Sequence, residues 1–188
     1  MKELEERILK DGIIQNGDIL NVGAFINQLV DTNLLKSMAK EVKRLFPEKI
    51  DKILTIEASG LPFATAVGME YSIPIVFAKK NKTSNLSENV ISSKVESYTH
   101  HNTNYIFVTK GYIKKGDNIL VVDDFLAMGN ALKGLFDLVK QSEANIVGAA
   151  IEIEKVYQGG GNELRNLGYR IESLASILKM ENNNIIFK

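Results

Sequence analysis

Residues 119–131 read ILVVDDFLAMGNA, and this stretch decides the fold. Its first four residues are apolar and mostly β-branched, which is typical of a buried parallel strand. Two carboxylates, Asp123 and Asp124, follow directly. A short loop with Gly129 comes next, and helical spacing begins at Ala131. The stretch therefore predicts a strand, a loop and a helix in succession, which is the repeating unit of α/β proteins.

The same stretch also predicts a ligand site. In α/β proteins the ligands bind outside the carboxyl ends of the strands, which is where Asp123 and Asp124 are expected. Carboxylates accept hydrogen bonds from hydroxyl groups, and the N–H groups at a helix N-terminus favour a phosphate. This combination favours a ribose phosphate. The two carboxylates would also suit helix capping or metal binding in another α/β fold, because fold alone does not decide function.

The composition excludes several classes of protein. The 188 residues suit a single domain, 1–188, and the 45% apolar fraction supports a packed core. With 23 basic and 23 acidic residues there is no overall basic field, which weighs against nucleic acid as a partner. The absence of cysteine excludes disulfides and thiol catalysis. No apolar run approaches the roughly 20 residues of a membrane span, so we expect a cytoplasmic protein with no membrane partner.

Further strands and helices alternate along the chain and predict a mainly parallel twisted sheet flanked by helices. The expected strands are 53–56, 73–78, 105–108, 119–122 and 146–153, and a helix is expected over about 61–67. Right-handed crossovers would bring the carboxyl ends of these strands to one edge of the sheet. The polar residues expected at that edge are Glu57, Lys79, Asp123 and Glu154.

Two segments are expected to lie outside the sheet. Residues 1–50 predict two amphipathic helices separated by two short strands, with Asp31 or Thr32 as the cap of the second helix. We expect these residues to form an N-terminal addition to the sheet, which we call the hood. Residues 81–104 are rich in Ser, Asn, Thr and Lys, which predicts a flexible lid or a solvated hairpin. His100 and His101 lie in this stretch, and we interpret them as loop residues because no third metal ligand accompanies them.

Residues 119–131 resemble the signature of the type I phosphoribosyltransferases. Asp123, Asp124, Phe125, Leu126, Ala127 and Gly129 fit that signature, whereas Met128 and Ala131 replace its loop hydroxyls and Asn130 replaces its second glycine. The resemblance implies that Asp123 and Asp124 are the catalytic carboxylates. It also implies a loop for phosphoribosyl pyrophosphate, formed by Ala127, Met128, Gly129, Asn130 and Ala131.

The same family resemblance extends to a second loop and to the cofactor. Ala58, Ser59 and Gly60 look like the family's pyrophosphate loop, although an ordinary strand-to-helix turn capped by Ser59 fits the residues equally well. Mg²⁺ is expected to arrive with phosphoribosyl pyrophosphate, without a metal ligand supplied directly by the protein.

Residues 154–161 (EKVYQGGG) and 167–175 (LGYRIESLA) are similar to segments of the xanthine phosphoribosyltransferases. This resemblance implies transfer of a phosphoribosyl group to N9 of xanthine by a homodimeric enzyme with an N-terminal and C-terminal hood. Lys155 would donate to a carbonyl or to N7 of the base. Leu20 and Asn27 match the positions at which the family's hood covers the base. The plain alternative for Lys155 is a solvated surface lysine.

Two other functions stay open at this point. One is a non-enzymatic purine regulator of the same fold that binds phosphoribosyl pyrophosphate. It would need a basic DNA-binding segment, and residues 1–50 are short and mixed in charge. The other is an adenine-specific phosphoribosyltransferase. Lys155 weighs against it because a lysine cannot accept a hydrogen bond from the adenine amine.

Overall fold

The computed structural model describes residues 1–15, 19–81, 89–96, 103–181 and 184–188. In chain order the elements are α1 (Lys2–Asp11), β1 (Ile13–Gln15), β2 (Ile19–Asn21), α2 (Thr32–Leu45), β3 (Lys52–Ile56), α3 (Leu61–Tyr71), β4 (Ile75–Ala78), β5 (Val90–Glu96), β6 (Thr103–Thr109), β7 (Asn118–Leu126), α4 (Asn130–Gln141), β8 (Asn145–Lys155), α5 (Gly160–Asn166), β9 (Ile171–Glu181) and β10 (Asn184–Phe187). Gly17 and Asp18, which lie between the two predicted short strands of the N-terminal segment, and His100 and His101 lie outside the described residues.

A six-stranded sheet in the order β10-β9-β8-β7-β3-β4 forms the centre of the described structure. Strands β9, β8, β7, β3 and β4 run parallel, and β10 is antiparallel to β9. The apolar run of β7 is fully buried, because helices or loops cover both of its faces. The predicted fold class, an α/β protein with a mainly parallel sheet, is confirmed.

The core lies on both faces of the sheet. On one face, α1, α2 and a π-helical turn at Gly23–Asn27 cover what we call the hood-side cluster, which includes Phe25, Phe46, Phe63, Leu120 and Val122. Residues of β9 and β10 also pack against it, so the hood has contributions from both ends of the chain. On the other face, α4 and β6 cover the helix-side cluster, which includes Ile106, Val121, Leu135, Phe136 and Ile151. Among the described residues, no helix is long and apolar enough to cross a membrane.

Local sequence signals explain several boundaries. Asp31 caps α2, because its Oδ1 accepts hydrogen bonds from the backbone N–H groups of Asn33 and Leu34 at 3.1 and 3.2 Å. Helix α3 continues to Tyr71, past the predicted end near Val67, and ends at Ser72 in the left-handed conformation.

The structure differs from two sequence-based expectations about strands. Residues 105–108 were expected in the main sheet, but β6 pairs antiparallel with β5 in a separate two-stranded sheet. Only an isolated bridge between Lys79 and Phe107 joins β6 to the end of β4. The expected lid, 81–104, therefore includes strand β5, and its residues 82–88 and 97–102 lie outside the described part of the chain. In addition, β7 extends to Leu126, so both aspartates lie on the strand rather than after it.

Candidate active site

The candidate site begins at the carboxyl end of β7. Asp123 and Asp124 are both buried, with 4% and 7% of their surface exposed. The backbone N–H of Asp124 donates to Oδ1 of Asp123 at 3.1 Å. Burial and the neighbouring charge of Asp124 raise the pKa of Asp123 well above its usual range. The site thus holds two adjacent carboxyl groups, of which Asp123 retains its proton more readily than a solvated aspartate.

Two side chains from other elements converge on Asp124. Ser59 donates through Oγ to Oδ1 of Asp124 at 3.0 Å, and Asn27 donates through Nδ2 to Oδ2 at 3.3 Å. Ser59 comes from the loop after β3, and Asn27 closes the π-helical turn of the hood. The structure therefore brings together three predicted site residues that lie 32 and 65 positions apart along the chain.

The loop between β3 and α3 lies against the same carboxylates. Glu57 accepts the backbone N–H of Lys80 through Oε1 at 2.7 Å, which ties the carboxyl ends of β3 and β4 together. The Glu57–Ala58 peptide bond is cis. A Cβ built on Gly60 would lie 2.9 Å from Oδ1 of Asp123, so only glycine permits this approach. Ala58, Ser59 and Gly60 therefore border the carboxylates, and their role as a pyrophosphate loop stays a prediction.

The loop between β7 and α4 is the candidate phosphate cradle. Gly129 has φ of +80° and precedes α4, whose first residue is Asn130. A cavity of about 210 Å³ lies against this loop. It is lined by residues of the loop together with one residue from β5 and one from the turn after β8: Val95, Phe125, Leu126, Ala127, Met128, Gly129, Asn130, Ala131, Leu132 and Gln158. A helix start facing a cavity is suited to bind an anion.

The strand beside β7 carries Lys155. Because Leu126 pairs with Glu154 in the register of β7 and β8, Lys155 lies next to the start of the phosphate cradle. Lys155 is partly buried. Leu20 is buried in the hood-side cluster, so its contact with a base stays a prediction.

Glu154 was expected to face the ligand edge, but it points into a buried ion pair. Arg165 donates to both of its carboxylate oxygens at 2.7 Å, and Ser173 donates to Oε2 at 2.5 Å. Burial would raise the pKa of Glu154, but the hydrogen bonds from Arg165 and Ser173 prevail and lower it. Glu154 thus anchors α5 to β8 and β9 rather than binding a ligand.

Sequence reasoning missed Glu152, a carboxyl group beside the site. Asp123 pairs with Ile151 and Phe125 with Ile153, so Glu152 lies next to Asp124 on the hood side of the sheet. Its side chain is fully buried, and neither oxygen has a hydrogen-bond partner among the described residues. Burial, followed by the charges of Asp124 and Asp123, raises the pKa of Glu152 well above its usual range. The alternation of residues 151–154 (IEIE) is typical of a strand with one solvated face and gives no sign of this burial.

The described residues contain no group of three or more histidine, cysteine, aspartate or glutamate side chains arranged to hold a metal ion. The neighbouring carboxylates of Asp123 and Asp124 nevertheless offer the hard oxygen ligands that Mg²⁺ prefers. These residues fit a Mg²⁺ ion that is bound chiefly by a ligand's own oxygens.

Solved structures with this architecture define the class of fold. The adenine phosphoribosyltransferase of Trypanosoma brucei, solved with AMP, pyrophosphate and ribose 5-phosphate, superimposes with a TM-score of 0.78 at 16% identity, over 96% of this chain and 83% of that chain. The adenine phosphoribosyltransferase of Saccharomyces cerevisiae gives 0.75 at 21% identity, over 93% and 99%. Identities this low establish the fold alone, which is the type I phosphoribosyltransferase fold.

Sequence similarity then gives the family. Residues 27–166 match the family described as the phosphoribosyl transferase domain. A xanthine phosphoribosyltransferase of Lachnoclostridium phytofermentans is 45% identical over 191 residues, covering 100% of this chain and 98% of that protein. Xanthine phosphoribosyltransferase 2 of Clostridium botulinum is 47% identical over 190 residues, with both chains fully covered. The chain belongs to the phosphoribosyltransferase family, and within it to the group of the xanthine phosphoribosyltransferases.

Proposed function

We propose that the protein transfers the phosphoribosyl group of 5-phosphoribosyl 1-pyrophosphate to N9 of xanthine. The products are xanthosine 5′-monophosphate and pyrophosphate. The proposal rests on the position of two buried carboxylates, Asp123 and Asp124, beside a cavity at the start of α4. The 47% identity to a xanthine phosphoribosyltransferase of the same length supports it. The carboxylates suit ribose hydroxyls, and the cavity suits a phosphate.

The sugar phosphate would occupy the β7 side of the site. The loop formed by residues 127–131 would bind the 5-phosphate through backbone N–H groups, helped by the dipole of α4. Asp123 and Asp124 would accept hydrogen bonds from the ribose hydroxyls. Ser59 and Asn27 already fix the orientation of the Asp124 carboxylate, so little reorganisation is needed when the sugar binds.

The diphosphate would lie along Ala58, Ser59 and Gly60, which border the same carboxylates. A Mg²⁺ ion would enter with the diphosphate and be held by the diphosphate's own oxygens, without a metal ligand supplied directly by the protein. When bound, Mg²⁺ would neutralise diphosphate charge and so favour its departure. The 81–104 lid would close over the sugar during this step and exclude water.

The base would lie between the hood and the end of β8. Lys155 would donate to a carbonyl or to N7 of xanthine, and Asn27 would donate to its second carbonyl oxygen. Leu20 would supply apolar cover from the hood. Since Asn27 also donates to Asp124, the same amide touches the ribose-binding carboxylate and stands at the edge of the base site.

The chemistry needs positioning and charge stabilisation rather than a covalent protein intermediate. The bond between C1 of the sugar and the pyrophosphate oxygen breaks as N9 of the base approaches, and the sugar ring carries positive charge meanwhile. Asp123 and Asp124 would stabilise that charge, and their burial supports this role because a buried, preorganised group needs little reorganisation. We further propose a cytoplasmic homodimer, on the basis of the family resemblance.

The test is nucleotide formation from phosphoribosyl pyrophosphate and Mg²⁺ with xanthine, guanine, hypoxanthine and adenine in separate reactions. We expect xanthosine monophosphate as the dominant product. Adenosine monophosphate instead would overturn the base assignment but keep the family. No product from any base, with phosphoribosyl pyrophosphate still bound, would favour a regulator of the same fold.

The role of Lys155 has its own test. Lys155→Ala should raise the KM for xanthine at least tenfold, because the base loses a charged donor, and leave the KM for phosphoribosyl pyrophosphate nearly unchanged. Lys179→Ala, an exposed lysine on β9, is the matched control. An equal loss for both substrates would remove Lys155 from the base site.

A further inference from the structure

The candidate phosphate cradle lacks polar side chains of its own. Of its five residues, Ala127 to Ala131, only Asn130 carries a side-chain hydrogen-bond donor. A phosphate dianion offers several strong acceptor oxygens, and a single side-chain donor in the loop does not satisfy all of them. A further donor is therefore expected from outside the loop. The cavity lining shows which residue can supply it.

Gln158 is that residue. It belongs to the 3₁₀ turn Val156–Gln158 that follows Lys155, and yet it lines the same cavity as the phosphate loop. The other contribution from outside the loop region is Val95 of β5, which is apolar. Gln158 is only partly buried, and its side-chain amide has no hydrogen-bond partner among the described residues. An amide group offers two N–H donors to an anion.

The backbone holds this turn against the phosphate loop. The N–H of Gly160 donates to the carbonyl oxygen of Ala127 at 3.1 Å. A Cβ built on Gly160 would lie 2.3 Å from the carbonyl carbon of Met128 and 2.5 Å from the nitrogen of Gly129. Only a glycine allows two backbone segments to approach so closely. The turn that carries Gln158 therefore contacts the backbone of the phosphate loop directly.

The segment after this contact is fixed at two further points. Arg165 on α5 makes its paired hydrogen bonds to the buried Glu154, and Glu163 on α5 forms an ion pair with Lys133 on α4 at 2.7 Å. A Cβ on Gly161 would lie 2.0 Å from Oε1 of Glu154, so α5 also packs closely on that ion pair. The turn is thereby held between β8 and α4, which gives Gln158 a defined place at the cavity.

We infer that Gln158 is a phosphate-binding residue, which reaches from the base-side turn into the cavity and donates its side-chain amide to the 5-phosphate of the substrate and of the nucleotide product. Gly160 is a positioning residue in this arrangement, because it sets the distance between the turn and the phosphate loop. The inference rests on the proposed function, since it takes the loop at 127–131 as the phosphate cradle. One turn, residues 155–160, then supports both the base and the phosphate.

The test compares the binding of xanthosine monophosphate with that of xanthosine, which lacks the phosphate, by calorimetry. Gln158→Ala should weaken the monophosphate about tenfold to hundredfold, in line with the loss of a hydrogen bond to a charged group, and change xanthosine less than twofold. Gln158→Glu should weaken the monophosphate further, because it places a negative charge in the cavity. Gln15→Ala, an exposed glutamine on β1, is the control and should change neither ligand.

Gly160→Ala tests the positioning role separately. It should weaken the monophosphate, because the added methyl group pushes the turn that carries Gln158 away from the loop. Gly159→Ala is the control: Gly159 has a φ of +83°, which penalises any side chain there, but its added methyl group meets nothing within 4 Å. Thermal unfolding of every variant separates loss of binding from loss of folded protein.

A variant of the loop itself distinguishes failure of this inference from failure of the proposed function. Asn130→Asp places a negative charge at the start of α4 and should weaken the monophosphate wherever the loop binds phosphate. If Asn130→Asp weakens it and Gln158→Ala does not, the cradle stands and the role of Gln158 is refuted. If Gln158→Ala weakens both ligands equally, Gln158 acts on the base side, which also refutes it. If neither variant matters, the phosphate site lies elsewhere.

Discussion

At the scale of single residues, the three carboxyl groups at the site have different surroundings. Asp124 is held by donors from Ser59 and Asn27, whereas Asp123 and Glu152 are buried with raised pKa values. The charges of neighbouring buried carboxyl groups raise one another's pKa values, as they do for Asp123 and Glu152. Asp124 is therefore the carboxyl group whose orientation is fixed by donors, and we expect it to accept the ribose hydroxyls.

Asp124→Asn tests this expectation. The substitution keeps the shape of the side chain but removes the charge, so it should lower kcat/KM by roughly 100-fold or more, as for other preorganised polar groups in active sites. Steady-state kinetics with varied phosphoribosyl pyrophosphate would measure the loss. Asp137→Asn on the exposed face of α4 is the control and should retain wild-type activity. A loss of less than threefold in Asp124→Asn would contradict the assigned role.

Glu152 leads to a prediction about stability and pH. Burial raises the pKa of Glu152 above its unfolded value near 4.5, so the unfolded chain releases this proton at lower pH than the folded chain does. The presence of Glu152 therefore costs stability increasingly as the pH rises above 4.5, until it reaches the folded pKa. Glu152→Met should raise the free energy of unfolding at pH 7 by about 1–3 kcal/mol, the cost of an unpaired buried polar group.

Urea unfolding of Glu152→Met and the wild type at pH 4 and pH 7 would measure this effect. Glu152→Gln serves as the second variant, because it stays polar but cannot ionise, and its advantage over wild type should also grow with pH. An equal gain for Glu152→Met at both pH values would mean that Glu152 acts through its polarity alone.

At the scale of elements, the ion pair between Glu154 and Arg165 holds α5 on the sheet. Glu154 is 1% exposed and its partner about one third exposed. Arg165→Met would leave a buried carboxylate without its main partner, which should destabilise the protein toward the lower end of roughly 3–5 kcal/mol. The double variant with Glu154→Leu should recover most of this loss, as denaturant unfolding in a double-mutant cycle would show. A double variant as unstable as Arg165→Met would disprove the assignment.

The elements that the sequence predicted correctly are those with local signals. The apolar run at 119–122, the periodic face of α4 and the Asp31 cap each lie within one short segment, and the structure shows all three. Strand β6 was assigned to the wrong sheet because its partner, β5, lies in a polar stretch that carries little strand signal. Pairing between strands is decided by contacts distant in sequence, which periodicity alone does not reveal.

The sequence also indicated some features of the candidate site and missed others. The family resemblance assigned roles to Asp123, Asp124 and the two loops, and these roles stay predictions. The structure shows that Ser59 and Asn27 donate hydrogen bonds to Asp124. The burial of Glu152 was missed because alternating isoleucine and glutamate suggests one solvated face, whereas both faces of β8 are covered. The close approach of Gly160 to the phosphate loop was missed because three consecutive glycines are typical of a flexible loop and do not reveal a contact with a distant segment.

At the scale of the whole molecule, the site joins three parts of the chain: the hood through Asn27, the sheet through β7, and the segment after β8. A ligand that binds only the folded protein stabilises all of it, by RT ln(1 + [L]/Kd). Phosphoribosyl pyrophosphate with Mg²⁺ at 100 times its Kd should therefore add about 2.7 kcal/mol. For a protein of this length that corresponds to a rise in Tm of roughly 5–10 °C.

Differential scanning calorimetry with and without the ligand would measure this rise. Asp124→Asn should show a much smaller rise at the same ligand concentration, because it lacks the charge that receives the ribose hydroxyls. Adenosine monophosphate should raise Tm less than xanthosine monophosphate does, since Lys155 can donate to a purine carbonyl but cannot accept from the adenine amine. A larger rise with adenosine monophosphate would place the protein with the adenine-specific enzymes despite its sequence similarity. An absence of any rise with phosphoribosyl pyrophosphate would contradict both the enzyme and the regulator, because each of them must bind it.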